Sequence, residues 1–170
     1  MKSNIVLIGM PGCGKSTLGV VLAKNLGMGF VDTDLVIQQK AGKRLHELIT
    51  EMGDKGFIDY EGEVNSEVDG TGLVIATGGS AVYSEKAMEH LKEIGVIVYL
   101  RTPYHELSKR LVNLDERGVV SYGKVEIKEI FADRRTLYEK YAEVVIDEDG
   151  KRIPELIEIL KPKLSGLLEK

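Results

Sequence analysis

Short runs rich in Val and Ile alternate along this chain with amphipathic stretches of helical length. Five runs read as strands: Asn4–Ile8, Gly29–Val31, Leu73–Ala76, Val96–Leu100 and Glu143–Ile146. Most are apolar on both faces, the pattern of a parallel sheet covered by helices. Ile127, Ile130, Phe131, Tyr138 and Tyr141 recur at helical spacing, as do Leu156, Ile157, Leu160, Leu164 and Leu167. Repeated strand–helix units predict a three-layer α/β fold in a single domain over 1–170. Two stretches break the rhythm. Residues 32–67 are long, polar and dotted with glycine, and predict several helices beside the sheet. Residues 115–124, DERGVVSYGK, carry few core-type side chains between two helices, and a loop of that length predicts a lid.

Composition acts mainly by exclusion. A chain of 170 residues, 43% hydrophobic, can bury a core without covalent staples. The balance of 23 Lys+Arg against 27 Asp+Glu gives no electrostatic reason to expect a nucleic-acid partner. No apolar run approaches the ~20 residues of a membrane span, and the apolar stretch in MKSNIVLIGMPG is too short for a secretory leader. One cysteine, Cys13, excludes an internal disulfide and suits a reducing compartment. A monomeric cytoplasmic protein is the expectation.

Residues 9–16, GMPGCGKS, match G-x-x-x-x-G-K-[ST] between an apolar strand and a helical pattern of Leu18, Val21, Leu22 and Leu26. Small residues let successive backbone N–H groups curl around phosphate oxygens, and the helix N-terminus adds partial positive charge. Lys15 would reach the terminal phosphates and Ser16 would ligate Mg²⁺. Gly12, Cys13, Gly14, Lys15, Ser16 and Thr17 are therefore the nucleotide-binding candidates. Cys13 reads as a small spacer more readily than as a redox switch. No Asn-Lys-x-Asp motif for reading guanine is present, and the size suits a compact kinase.

The second strand runs into Asp32-Thr33-Asp34, at the sheet edge where open α/β folds bind ligands. Along an extended chain this spacing points both carboxylates one way. One acid could then help hold hydrated Mg²⁺ while the other orients or deprotonates a hydroxyl. Alternatively, Asp34 caps a helix over residues 35–39. Thr77-Gly78-Gly79-Ser80 follows the third strand and lets backbone approach a ligand, or forms an ordinary turn. Arg134 shares the helical face of Ile127, Phe131, Tyr138 and Tyr141. An inward charge needs an anionic partner: a bound carboxylate or phosphate, or a salt bridge to Asp32, Asp34 or Glu61. His46, His90 and His105 lack metal-ligand spacing.

These segments together resemble the shikimate kinases, small phosphate-loop enzymes that transfer the ATP γ-phosphate to a ring hydroxyl of shikimate. The resemblance rests on GMPGCGKST, VDTD, the GFxxxE segment at 56–61, the GG turn, Arg117 in the lid stretch, and Arg134-x-x-Leu137-Tyr138. It implies a five-stranded parallel sheet of order 2-3-1-4-5, ATP and Mg²⁺ as cofactors, a small hydroxyl acceptor, and an acceptor-binding segment over about 32–62. By this likeness Lys15, Asp34 and Arg117 are catalytic. Ser16 and Asp32 serve the metal, Asp34 binds the accepting hydroxyl, and Gly78 and Gly79 line its pocket. Arg134 grips the acceptor carboxylate, Arg117 closes onto phosphates, and Arg110 stacks on adenine opposite the segment near Pro154. Glu61 either positions a second arginine or sits on a wet helix face.

Two positions depart from the family. Its segment reads Gly-Phe-Arg-x-x-Glu, with that arginine on the shikimate carboxylate, whereas Ile58 stands here; Ser80 replaces a third glycine of the turn. Isoleucine cannot imitate a planar bidentate fork. Losing one charged partner costs ~1.5–3 kcal/mol, roughly 10- to 150-fold in affinity. Arg134 alone, Lys55 or Arg135 could carry the carboxylate. Alternatively the acceptor is another polyol or hydroxy acid, or the chain binds nucleotide without turnover.

Overall fold

The runs of β-branched residues pair side by side through their backbone, and those at the centre of the sheet are apolar on both faces. In the computed structural model, which describes residues 2–111 and 126–168, they form β1 (Asn4–Ile8), β2 (Gly29–Asp32), β3 (Leu73–Ala76), β4 (Gly95–Arg101) and β5 (Val144–Asp147). All pairs are parallel and the order is β2-β3-β1-β4-β5, as the resemblance implied. The predicted lid, 115–124, and Arg117 within it lie outside the described residues.

Helices α1 (Lys15–Leu26), α2 (Thr33–Ala41), α3 (Leu45–Ser66), α4 (Glu85–Ile94), α5 (Tyr104–Arg110), α6 (Ile127–Tyr141) and α7 (Ile153–Leu164) surround the sheet, with a 3₁₀ turn at Ala81–Tyr83. Every residue of β1 is buried, which accounts for its unbroken apolar run. The predicted apolar stripe of α7 overshoots by one position: the helix ends at Leu164, and Leu167 is exposed.

Residues 32–67 form several helical pieces, as predicted: α2, and an α3 that Gly53 divides in two by adopting the non-helical φ 70°, ψ 169°. Ile37, Leu48, Phe57, Ile58 and Val64 gather into a small core of their own beside the main one. The expected cap of α2 is also corrected. Asp32, not Asp34, caps it, accepting the Asp34 N–H at 3.0 Å on its side chain. Asp34 sits inside the first helical turn, so the extended-chain argument for two parallel side chains does not apply. The cap itself brings the acids together.

Parallel pairing places the carboxyl ends of β1, β2 and β3 along one edge of the sheet. The phosphate loop, the acid pair and the GG turn all leave from that edge.

Candidate active site

At the end of β1 the chain turns through Gly14, whose φ of 93° is left-handed and whose missing Cβ leaves open space. Among the described residues no side chain caps α1, so its first amides keep their hydrogens for a ligand. Lys15 is nearly buried and curls back over the loop, donating to the carbonyls of Gly9 at 2.8 Å and Met10 at 2.9 Å. Ser16 Oγ donates to Asp32 Oδ2 at 2.6 Å, which joins the loop to the end of β2. The Cys13 side chain is buried with its Sγ 3.7 Å from Lys15 Nζ, and its N–H is bonded to Met10 O at 3.2 Å. That fits the spacer reading.

A cavity of about 400 Å³ opens between this loop and the acceptor segment. Gly12, Gly14, Lys15, Ser16 and Thr17 form one wall, while Asp34, Phe57, Glu61, residues 77–80 and Arg134 form the other. Burial first, and then the charge of Asp32, push the Asp34 carboxyl up to about 6, with Lys15 pulling the other way. A Cβ on Gly78 would collide with Glu61 Oε1 and Asp34 Oδ1, so only glycine lets both acids close over the turn. Gly79 is held from behind. Tyr138 donates to its carbonyl at 2.6 Å and stacks on Tyr99 with ring centroids 5.1 Å apart.

Arg134 is 1% exposed yet lines the cavity. Its guanidinium lies 5.3 Å from the centroid of the Tyr83 ring, and its Nε donates to the Tyr83 hydroxyl at 3.4 Å. That hydroxyl donates in turn to Asp133 at 2.7 Å. The inward charge predicted from helical spacing is thus fixed by an aromatic face as well as by polar contacts.

Glu61 does not sit on a wet face; it is 1% exposed. Its Oε2 accepts from Ser80 Oγ at 2.5 Å, while Oε1 has no hydrogen-bond partner among the described residues. Burial pushes this carboxyl up to about 7, against the Ser80 hydrogen bond, while Asp34 raises it and Arg134 and Lys15 lower it. Ile58 turns away into the small apolar core and is absent from the cavity wall. Neither expected substitute takes its place. Lys55 is exposed, and Arg135 pairs outward with Glu139 at 2.9 Å.

Arg110 lies outside the cavity wall, bonded to Glu148 at 2.6 Å and to the Gly12 carbonyl at 3.4 Å. Pro154 is exposed at the start of α7. Sequence reasoning missed the Ser80–Glu61 pair, the Tyr138 clamp on Gly79 and the Phe57 wall. The inward face of Tyr138 was legible, but its target was not.

Comparison with known proteins agrees with this geometry. The shikimate kinase family model matches residues 11–164. A shikimate kinase of Persephonella marina is 36% identical over 149 residues, covering 87% of this chain and 90% of that protein. One from Clostridium botulinum is 35% identical over 162 residues, covering 95% and 96%. The solved structure of an Acinetobacter baumannii shikimate kinase in complex with shikimate superposes with a TM-score of 0.87 at 32% identity, covering 99% of this chain and 97% of that one.

Proposed function

The chain belongs to the shikimate kinase family, and from that premise we propose how its own residues carry the reaction. The activity is ATP-dependent transfer of a phosphoryl group to a hydroxyl of shikimate, with Mg²⁺ as cofactor. The uncapped amides of α1 hold the phosphates, and Lys15 leaves the Gly9 and Met10 carbonyls to meet the terminal ones. Ser16 and Asp32 already share one hydrogen bond at the loop's edge, an oxygen pair suited to a hard cation. Magnesium bound there offsets the charge of the phosphate oxygens.

Asp34, with its carboxyl raised towards neutrality, orients the accepting hydroxyl and takes its proton. Arg134 grips the acceptor carboxylate, and Gly78 and Gly79 offer bare backbone beneath it. Arg117 is assigned to the phosphates, and Arg110 with the segment near Pro154 to the adenine. Catalysis is then mainly positioning and charge neutralisation. Residues 32–62 constitute the acceptor-binding segment, supported by their separate small core. The single cysteine suits a cytoplasmic enzyme, the net charge of −4 gives no electrostatic reason for a nucleic-acid partner, and a monomer is part of the same proposal.

One observation carries the reading: a single cavity joins the uncapped loop to Asp34 and Arg134. ADP release by purified protein with MgATP tests it, using shikimate beside a panel of polyols and hydroxy acids. Turnover on shikimate with a low-millimolar or tighter KM is expected. Tight ATP binding without turnover on shikimate overturns it.

A further inference from the structure

We propose that Glu61 enters the acceptor site as a neutral acid whose Oε1–H donates a hydrogen bond to a carboxylate oxygen of the bound acceptor. The inference rests on the reading that this cavity takes shikimate. The two oxygens of Glu61 have different surroundings. Oε2 is occupied by the Ser80 hydroxyl, whereas Oε1 is buried, unpartnered among the described residues, and lies over Gly78 at the cavity wall. A carboxylic acid satisfies that arrangement, because one oxygen accepts while the other carries the only proton. An ionised carboxylate leaves a buried lone pair facing an anionic ligand.

Ile58 is what permits this state. On a helix, position 58 is a neighbour of position 61, and an arginine there would hold Glu61 ionised. Isoleucine instead packs into the apolar core, and Ser80 supplies a neutral donor. The charged groups facing Glu61 are Asp34 on α2, Arg134 on α6 and Lys15 on α1. From the 3₁₀ turn comes Tyr83, whose phenol is engaged by Asp133 and Arg134. From α4 the cap residue Ser84 lies against Gly62. Burial outweighs these neighbours and brings the Glu61 carboxyl up to about 7. The site would thus combine one fixed cation with one titrating donor, and acceptor binding draws a proton from solvent.

The test is the KM for shikimate at saturating MgATP between about pH 6 and pH 8. In the unaltered protein KM should rise roughly 10-fold over that range, because only the protonated acid binds. Glu61→Gln keeps a neutral donor and acceptor at the same place, so its KM should vary less than about twofold. Ser80→Ala removes a hydrogen bond to the ionised form and should move the rise to higher pH. Calorimetry of the unaltered protein in buffers of different ionisation enthalpy supplies a readout that needs no variant: close to one proton taken up per shikimate near pH 8. Equal pH slopes in the unaltered protein and Glu61→Gln, a KM that falls with pH, or no proton uptake overturns the inference while leaving the kinase reading intact. Absence of shikimate turnover throughout the pH range sinks the reading itself, and the inference with it.

Discussion

The hydroxyl of Ser16 and the carboxylate of Asp32 meet at 2.6 Å, linking the first turn of α1 to the end of β2. Asp32 uses its other oxygen to cap α2 through the Asp34 N–H at 3.0 Å. One carboxylate therefore ties the first turn of α1 to the first turn of α2. Changing it should disturb the cation more than the acceptor, because the contacts proposed for the acceptor lie on Asp34, Arg134 and the GG turn.

Asp32→Asn keeps a cap acceptor and removes the charge. The Mg²⁺ concentration for half-maximal activity should rise about 10- to 100-fold, the usual cost of losing a supporting group at a metal site. Magnesium titration of ADP release measures it. An unaltered Mg²⁺ requirement removes Asp32 from the metal site.

Asp34→Asn keeps the shape of the side chain and loses the base. Transfer to shikimate should fall about 10²- to 10⁴-fold, while ATP affinity stays within a few-fold of the original. Single-turnover transfer and ATP calorimetry separate the two effects. Transfer at the original rate excludes Asp34 from proton handling.

Ile58→Arg places a guanidinium one helical turn from Glu61. At about pH 8 the KM for shikimate should fall roughly 10-fold, since the fork supplies the charge-assisted contact that isoleucine lacks. The small apolar core loses a packed side chain, so a lower Tm is expected alongside. ATP binding reports whether the variant is folded. In a folded variant, an unchanged or raised KM means that a guanidinium at position 58 does not reach the acceptor.

Glu61→Gln should change how stability responds to pH. The Glu61 carboxyl moves from 4.5 to about 7 on folding, so the folded chain holds the proton more tightly. Its contribution is therefore complete below about 4.5 and is lost as pH rises through about 7. At about 1.4 kcal/mol per unit, the complete loss is on the order of 3–4 kcal/mol, or about 7–14 °C in Tm. Glutamine carries no such charge. The Tm advantage of the variant should therefore widen from about pH 5 to pH 8, as thermal denaturation of the ligand-free proteins would show. A constant difference means that Glu61 does not titrate in this range.

Much of this molecule is local and could be read along the chain. The strands follow from β-branched runs, and the phosphate loop is built from contiguous residues whose backbone makes the site. The inward position of Arg134 follows from helical period alone. Asp32 and Asp34 were legible as a pair, but the extended geometry expected for them does not hold, because Asp32 caps the helix and starts it two residues earlier than expected. Other decisions depend on which elements pack together. Ser80 finds Glu61 across 19 residues, and Tyr138 finds the Gly79 carbonyl across 59. Ile58 could have faced the cavity or the small core, and the packing of α2 against α3 chose the core. Backbone stereochemistry and residue period set the local elements; burial and hydrogen-bond satisfaction across the folded chain decide which side chains share a wall and which acid keeps its proton.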